Sequence, residues 1–254
     1  TIFCISDTHN TTPSPLLAGD ILLHAGDLTQ YGTFPELQSQ LTWLAAQPHP
    51  HKLVVVGNHD LILDASFAAV HLDRELDCRP GRRRAGLAWG GVRYLEHEAV
   101  EVRVGRGGRV VRVFGSPWTP MFGSWGFKYG EGDGEEVWMG RVPDGTEVSL
   151  VHGPPKGYLD DGIKGCEALL EEVWRVRPRV VVCGHIHPGR GWQWLRFDQA
   201  QEWYERVVLG RQPWVSMVAL AWCPWEGGGT LLINASMMGG RGNSERRDAF
   251  VVVL

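Results

Sequence analysis

The chain has 254 residues, 43% of them apolar and 21% charged, with a formal net charge of −4. It is long enough to bury a sizeable core, and the charge excludes a surface built to coat long nucleic acid, which needs a positive excess. Cys4, Cys78, Cys166, Cys183 and Cys223 show no CxxC spacing and read as free thiols of a reducing compartment. No apolar run reaches the length of a membrane span and no signal peptide is visible. The expected location is therefore cytoplasmic, with no membrane partner, although the chain opens at Thr1 and its ends are open to trimming.

The elements follow in order. Ile2 to Ser6 is a strand run that ends in Asp7-Thr8-His9, and Ile21 to Ala25 ends in Gly26-Asp27. Phe34 to Ala46 predicts a helix, with Leu37, Leu41 and Leu44 at helical spacing, Pro35 in the first turn and Pro48 as a stop. Val54-Val55-Val56 then runs into Gly57-Asn58-His59-Asp60. Strand, helix, strand predicts a parallel pair through a βαβ crossover, with the polar residues at the carboxyl ends of strands.

Leu61 to Leu76 reads as helical in part, and Arg79 to Gly86 as a basic solvated loop. Val92 to Leu95, Ala99 to Val104 and Val110 to Phe114 read as antiparallel strands, with a Gly-rich tip at 105–108. Residues 119–147 read as aromatic loop with a short helix near Glu135 to Met139. Val148 to Val151 runs into His152-Gly153. Glu167 to Val176 is helical, and Val180 to Cys183 runs into Gly184-His185-Ile186-His187. Further on, Phe197 to Leu209 reads as helix, Trp214 to Trp222 as strand and Gly227 to Gly229 as a turn. Leu231 to Ile233 is a strand that ends in Asn234-Ala235-Ser236, and Phe250 to Leu254 closes the chain as a strand. With no repeat and no linker, residues 1–254 read as a single domain.

Five strand ends thus deliver Asp7, His9, Asp27, Asn58, His152, His185 and His187. These donors are too many for one Zn²⁺, which takes about four. They fit two divalent ions that share a carboxylate at a separation of roughly 3.5–4 Å. The mixed nitrogen and oxygen set suits Mn, Fe, Co, Ni or Zn better than Ca or Mg. Such a pair holds a phosphoryl oxygen and acidifies a shared water into a nucleophile. His59, beside a ligand, is free to act as the leaving-group acid, with Asp60 as a candidate orienter.

Asp7-x-His9, Gly26-Asp27, Gly57-Asn58-His59-Asp60, His152-Gly153 and Gly184-His185-Ile186-His187 resemble the five ordered motifs of the calcineurin-like metallophosphoesterase superfamily. Stretches such as Cys4 to His9, Pro117 to Pro120, Trp125 to Phe127, His152 to Pro155 and Ile233 to Ser236 are similar to its MPPED-type members. The resemblance implies a four-layer αββα sandwich of two mixed β-sheets flanked by helices. It implies one metal on Asp7, His9 and His187, another on Asn58, His152 and His185, Asp27 as the bridge, and His59 as the acid. It favours two divalent transition-metal ions, manganese first.

The function expected is a phosphodiesterase for small phosphoesters such as nucleotides or cyclic nucleotides. The alternatives are a phosphomonoesterase or protein phosphatase, a nuclease of short ends, and a low-turnover nucleotide sensor or scaffold. Ser116, Trp118 and Asn234 join Asn58 and His59 as candidate substrate contacts, and Trp118, Trp125 and Phe127 as candidate base-stacking rings. The equally open alternatives for these are turn and packing roles. His24 reads as structural or supporting, and Trp192, Trp194, Trp203, Trp214, Trp222 and Trp225 as packing. Residues 196–225 look like an insertion that either covers the cleft or decorates an edge.

Overall fold

A computed structural model of the chain describes residues 1–13, 16–72, 74, 76, 84–162, 164–210 and 228–254. The strands are β1 (Ile2–Ile5), β2 (Ile21–Ala25), β3 (His51–Val55), β4 (Val92–Tyr94), β5 (Glu98–Val104), β6 (Arg109–Ser116), β7 (Thr119–Pro120), β8 (Lys128–Tyr129), β9 (Val148–Val151), β10 (Val180–Cys183), β11 (Gly191–Leu195), β12 (Thr230–Asn234), β13 (Met238–Gly239), β14 (Glu245–Arg246) and β15 (Phe250–Val252). The α-helices are α1 (Phe34–Ala45), α2 (Ala65–Val70), α3 (Gly134–Trp138), α4 (Glu167–Val176) and α5 (Gln199–Val207).

Among the described residues, one sheet runs β15-β1-β2-β3-β4 and another β11-β12-β10-β9-β6-β5. In the first, β1 to β4 are parallel and β15 is antiparallel to β1. In the second, β12, β10, β9 and β6 are parallel and the outer strands antiparallel. Both sheets are mixed.

Side-chain alternation makes the layers. Successive strand residues point to opposite faces. Ile2, Cys4, Leu23 and Val55 of the first sheet meet Val113, Leu150, Val182 and Ile233 of the second in one buried cluster. Phe3, Ile5, Leu22 and Val54 face the other way, onto Leu37, Leu41 and Leu44 of α1. Phe114, Val181 and Leu232 pack outward against Leu169, Leu170 and Val173 of α4. The order helix, sheet, sheet, helix is the four-layer αββα sandwich. Strands β1, β9 and β10 are buried at every position, which is why β1 and β10 read as continuous apolar runs and β9 as one broken only by Ser149. Edge strand β5 alternates instead.

Helix α1 starts where its chemistry dictates. Thr33 accepts from Glu36 N while Glu36 reaches back to Thr33 N, a reciprocal cap beside Pro35. It links β2 to the parallel β3, as the crossover pattern requires.

Several expectations change. Val92–Tyr94 is not part of an antiparallel set; it extends the first sheet parallel to β3, and the chain crosses to the second sheet before β5. The 61–76 segment is broken into a 3-10 turn at Leu61–Leu63 and α2, because Asp64 caps a new helix by accepting from Phe67 N. Trp192 and Trp194 are exposed, not packed, since β11 is a sheet edge, and Trp203 of α5 is exposed as well. Helix α5 falls within the expected 197–209 span, and Phe197 and Tyr204 pack on the α4 layer, away from the cleft described below. Trp214 to Trp222, the rest of the 196–225 insertion from 211 on, and most of the Arg79 to Gly86 loop lie outside the described residues. Among the described residues no helix is long and apolar enough to cross a membrane.

Leu150 is wholly buried between the sheets. Leu150→Ala is expected to lower unfolding free energy by roughly 2–5 kcal/mol, read as a lower urea midpoint at unchanged slope.

Candidate metal centre

The carboxyl ends of β1, β2, β3, β9 and β10 converge on one cleft. The loops after β1 and β2 are tied beyond the strands: Asp7 N donates to Gly26 O (2.9 Å) and His9 N to Asp27 O (3.1 Å). Asp7, His9, Asp27 and His185 all carry left-handed backbone, with φ of 53°, 41°, 53° and 66°. Such positions cost of order 1 kcal/mol or more each and cluster at functional sites. Gly57 and Gly184 let the loops close. A β-carbon at Gly57 would strike Asp27 Oδ1, and one at Gly184 would strike Asp7 Oδ2 and Ser6 Oγ.

Asp7, His9 and His187 offer donor atoms that all lie within 4.8 Å of one another. Asp27, His152 and His185 do the same, as do His9, Asp27 and His59. Asp27 joins the sets: its Oδ2 lies 3.7 Å from His9 Nε2 and its Oδ1 3.5 Å from His152 Nε2. Asn58 Oδ1 is 2.9 Å from His152 Nε2.

The residues fit divalent cations on two observations. Both ring nitrogens of His9 are buried without a hydrogen-bond partner, and a buried polar atom left in that state is costly. At His152, Nδ1 faces the Ala25 carbonyl at 2.8 Å. A carbonyl only accepts, so Nδ1 carries a proton, and in the neutral form of the ring, the form that ligates, Nε2 turns a lone pair toward the oxygen of Asn58. Two acceptors face each other there, which a cation reconciles.

The charge states agree. Burial pushes His9 down, and His185 to about 4, so both rings are neutral, as ligands must be. Burial alone would raise Asp27, but His152 and His59 beside it hold it below the usual carboxylate range. Asp7 is likewise held low against burial, chiefly by its bond to His187. Burial also opposes the His187 cation, yet that same bond lifts it to about 9. The 3.2 Å gap between His187 Nε2 and Asp7 Oδ1 holds one proton or one metal ion, not both.

Around these donors lies a supporting layer. Ser236 Oγ lies 2.8 Å from both Asp7 Oδ2 and Asn234 Oδ1, and donates to one of them. His24 is wholly buried, pushed down to about 3 by burial, and accepts from Gly26 N through Nδ1 while its Nε2 faces Thr8 Oγ1. It is the supporting histidine that its place inside β2 suggests.

Several site expectations are corrected. Asp60 does not orient the His59 ring. Its carboxylate accepts from Gly57 N, Leu28 N, Thr29 N and Thr29 Oγ1, while His59 Nδ1 bonds the Gln30 carbonyl at 2.8 Å. Burial and the nearby Asp27 push Asp60 up to about 6. Asn234 is fully buried, donating to Leu159 O and Ile186 O, and so holds the Gly184–His187 loop instead of substrate. Ser116 is equally buried, with its Oγ turned to Trp118 N. Trp118 packs between the two outer cores and Phe127 is core, because the Asp64 carboxylate pins Phe127 N from below. Trp125 instead stacks on His59, with ring centroids 3.8 Å apart.

The cleft encloses about 550 Å³, and besides the histidines and Asp27 its walls include Gln30, Phe122, Lys164, Asn243 and Arg247. Sequence reading missed all five. Phe122 is 61% exposed and stands edge-on to His185 at 5.8 Å. An exposed phenylalanine in a Gly-rich loop was the available signal.

Residues 1–189 match the family model described as calcineurin-like phosphoesterase. The chain belongs to this family. It is 36% identical over 204 residues to metallophosphoesterase domain-containing protein 1 of Homo sapiens, covering 74% of this chain and 60% of that protein. It is 33% identical to a UPF0046 protein of Caenorhabditis elegans, over 75% of this chain and 64% of that protein. It is 38% identical to a probable rhamnogalacturonate lyase C of Emericella nidulans over 99% of this chain, but only 24% of that protein. The chain therefore spans between a quarter and two thirds of these relatives.

With four donors on its carboxylate, Asp60 belongs to the turn. Asp60→Asn sets an amide N–H₂ against those donors and is expected to lower stability by about 1–3 kcal/mol, measured by thermal or urea unfolding.

Proposed function

We propose that the chain is a dinuclear metal-dependent phosphodiesterase of small phosphoesters, with nucleotides and cyclic nucleotides as the favoured substrates. The attitude of Asp27 carries the reading: one carboxylate turns an oxygen to each histidine set. Shared in this way, it gives Asp7, His9 and His187 a fourth donor, and Asn58, His152 and His185 a fourth donor as well. Each set would then offer four protein donors to an ion, with His59 left over. Manganese is the ion favoured by the family resemblance, and the mixed imidazole and oxygen donors also admit Fe, Co, Ni or Zn. When bound, such ions supply Lewis-acid polarisation of a phosphoryl oxygen and an acidified water.

The chain's own residues supply the rest. His59 Nδ1 donates to the Gln30 carbonyl, so Nδ1 keeps its proton and Nε2 is the atom that exchanges one. Trp125 stacked on the ring fixes its plane. Trp125 is itself fixed by Gly126 N donating to Asn58 O, which ties the acid to the metal side of the same turn. Held so at the cleft wall, Nε2 protonates the oxygen of a departing alcohol, the step an unactivated ester needs most. Phe122 gives the mouth an apolar wall and Lys164 a cation, features suited to an aromatic group carrying a negative charge. The cleft volume lies in the range of small-molecule sites.

Three measurements test this. Chelation should abolish turnover, and added Mn²⁺ should restore it. Asp27→Ala should lose metal content and turnover together. His59→Gln should keep two equivalents of metal yet lose about 10²- to 10⁴-fold in turnover on 2′,3′-cyclic nucleotides, and much less on bis-aryl esters, whose leaving groups need no acid. Wild-type rates for His59→Gln on the cyclic nucleotides would remove the acid from the reading. Two bound equivalents with no turnover on any of these esters would favour a sensor.

A further inference from the structure

We infer that Asn243 and Arg247, in a hairpin beyond the stretch matched by the family model, are positioning residues that hold His187 in its ligating attitude. The inference rests on the dinuclear reading above. His187 opens a one-turn 3-10 helix, His187–Gly189, after β10. One hairpin grips it at two points. Asn243 Oδ1 lies 2.9 Å from the ring Nδ1, and Arg247 Nη1 donates to the His187 carbonyl at 3.2 Å.

The hairpin is built for those grips. Strands β13 and β14 pair antiparallel, with Met238 opposite Arg246, and Arg247 N donates to Met237 O at 2.9 Å. The Arg247 guanidinium lies against Gly239 so closely that a β-carbon there would overlap it. Its other nitrogen pairs with Glu245 at 3.2 Å. Asn243 sits at the bend with φ of 57°, a conformation asparagine tolerates better than most residues.

The chemistry follows from the two nitrogens of imidazole. A neutral ring has one N–H and one lone pair, and the partner of one nitrogen decides the role of the other. An oxygen acceptor at Nδ1 keeps the proton there and leaves Nε2, which faces Asp7 Oδ1 at 3.2 Å, free to ligate. His152 and His59 obtain the same service from main-chain carbonyls, of Ala25 and Gln30. His187 obtains it from a side chain, which substitution can remove.

The test uses the full chain and Mn²⁺ alone, read by titration calorimetry and elemental analysis, with no substrate. Asn243→Gly permits the left-handed backbone but deletes the acceptor; Asn243→Asp keeps both. The expected result is two equivalents for the wild type and, for Asn243→Gly, a 10- to 100-fold weaker affinity at one site with the other unchanged, the usual size of such supporting effects. Asn243→Asp should restore the affinity. Arg247→Met, which keeps the stem and loses the donors, should weaken the same site at an unchanged unfolding midpoint. Wild-type affinity at both sites in Asn243→Gly and Arg247→Met would overturn this inference alone. Fewer than two equivalents in the wild type would overturn the dinuclear reading and this inference with it.

Discussion

Two carboxylates buried side by side are the constraint on which the site depends. Asp7 and Asp27 are essentially inaccessible to water. Among the described residues neither is paired with a lysine or an arginine; their ionic partners are His187, His9 and His152. Removing a carboxylate from water costs several kcal/mol even after relaxation. His187, lifted to about 9, offsets part of that at Asp7, whereas burial drives His9 and His185 neutral. Buried anions beside rings that burial holds neutral are a balance that divalent cations would complete. The site's electrostatics and its candidate chemistry are therefore the same fact.

The fold explains how so costly a cluster is tolerated. Two sheets press their parallel strands together, and the strand ends meet at one edge. Backbone bonds continue past the strands, from Asp7 N to Gly26 O, from Gly184 N to His152 O and from Ala235 N to Cys183 O. The loops are held by these continuations of the ladders together with side-chain bonds such as those of Asp60 and Asn234. That over-determination sustains left-handed backbone at Asp7, His9, Asp27 and His185. The glycines beside them follow from crowding: at Gly57 and Gly184 the next motif's carboxylate occupies the space of a side chain.

The parts legible in the sequence are those that depend on local pattern. Continuous apolar runs marked β1 and β10, because strands buried on both faces have no polar side to alternate. The seven candidate donors stood out because each lies within a few residues of a strand end. What escaped depends on partners distant in sequence. Asp60 looked like an orienter of its neighbour His59, but its acceptors' demand is met by Leu28 and Thr29, some thirty residues earlier in the chain. Asn234 and Ser116 looked available and are enclosed. Val92–Tyr94 carried a strand signal, yet nothing local tells a strand which sheet to join. Asn243 carries no motif, and only the folding back of the terminal hairpin sets it on His187.

The turn Gly57-Asn58-His59-Asp60 shows how far the site divides its labour within four residues. Gly57 is bare so that Asp27 can approach. Asn58 turns its oxygen to His152 on the metal side, adding a donor without adding negative charge to an already anionic pocket. His59 N donates to Asp27 Oδ1 at 2.9 Å while its ring leans the other way, toward Gln30 O and Trp125. Its main chain thus binds the Asp27 carboxylate, while its side chain is left for the proton transfer proposed above. Asp60 then bends back to bond Gly57 N at 2.8 Å and closes the turn. Because one carboxylate fixes the loop and another receives its amide, His59 and the candidate metal ligands cannot shift independently. A displacement of Asp27 carries His59 with it, which would keep the proposed acid in register with the proposed metals.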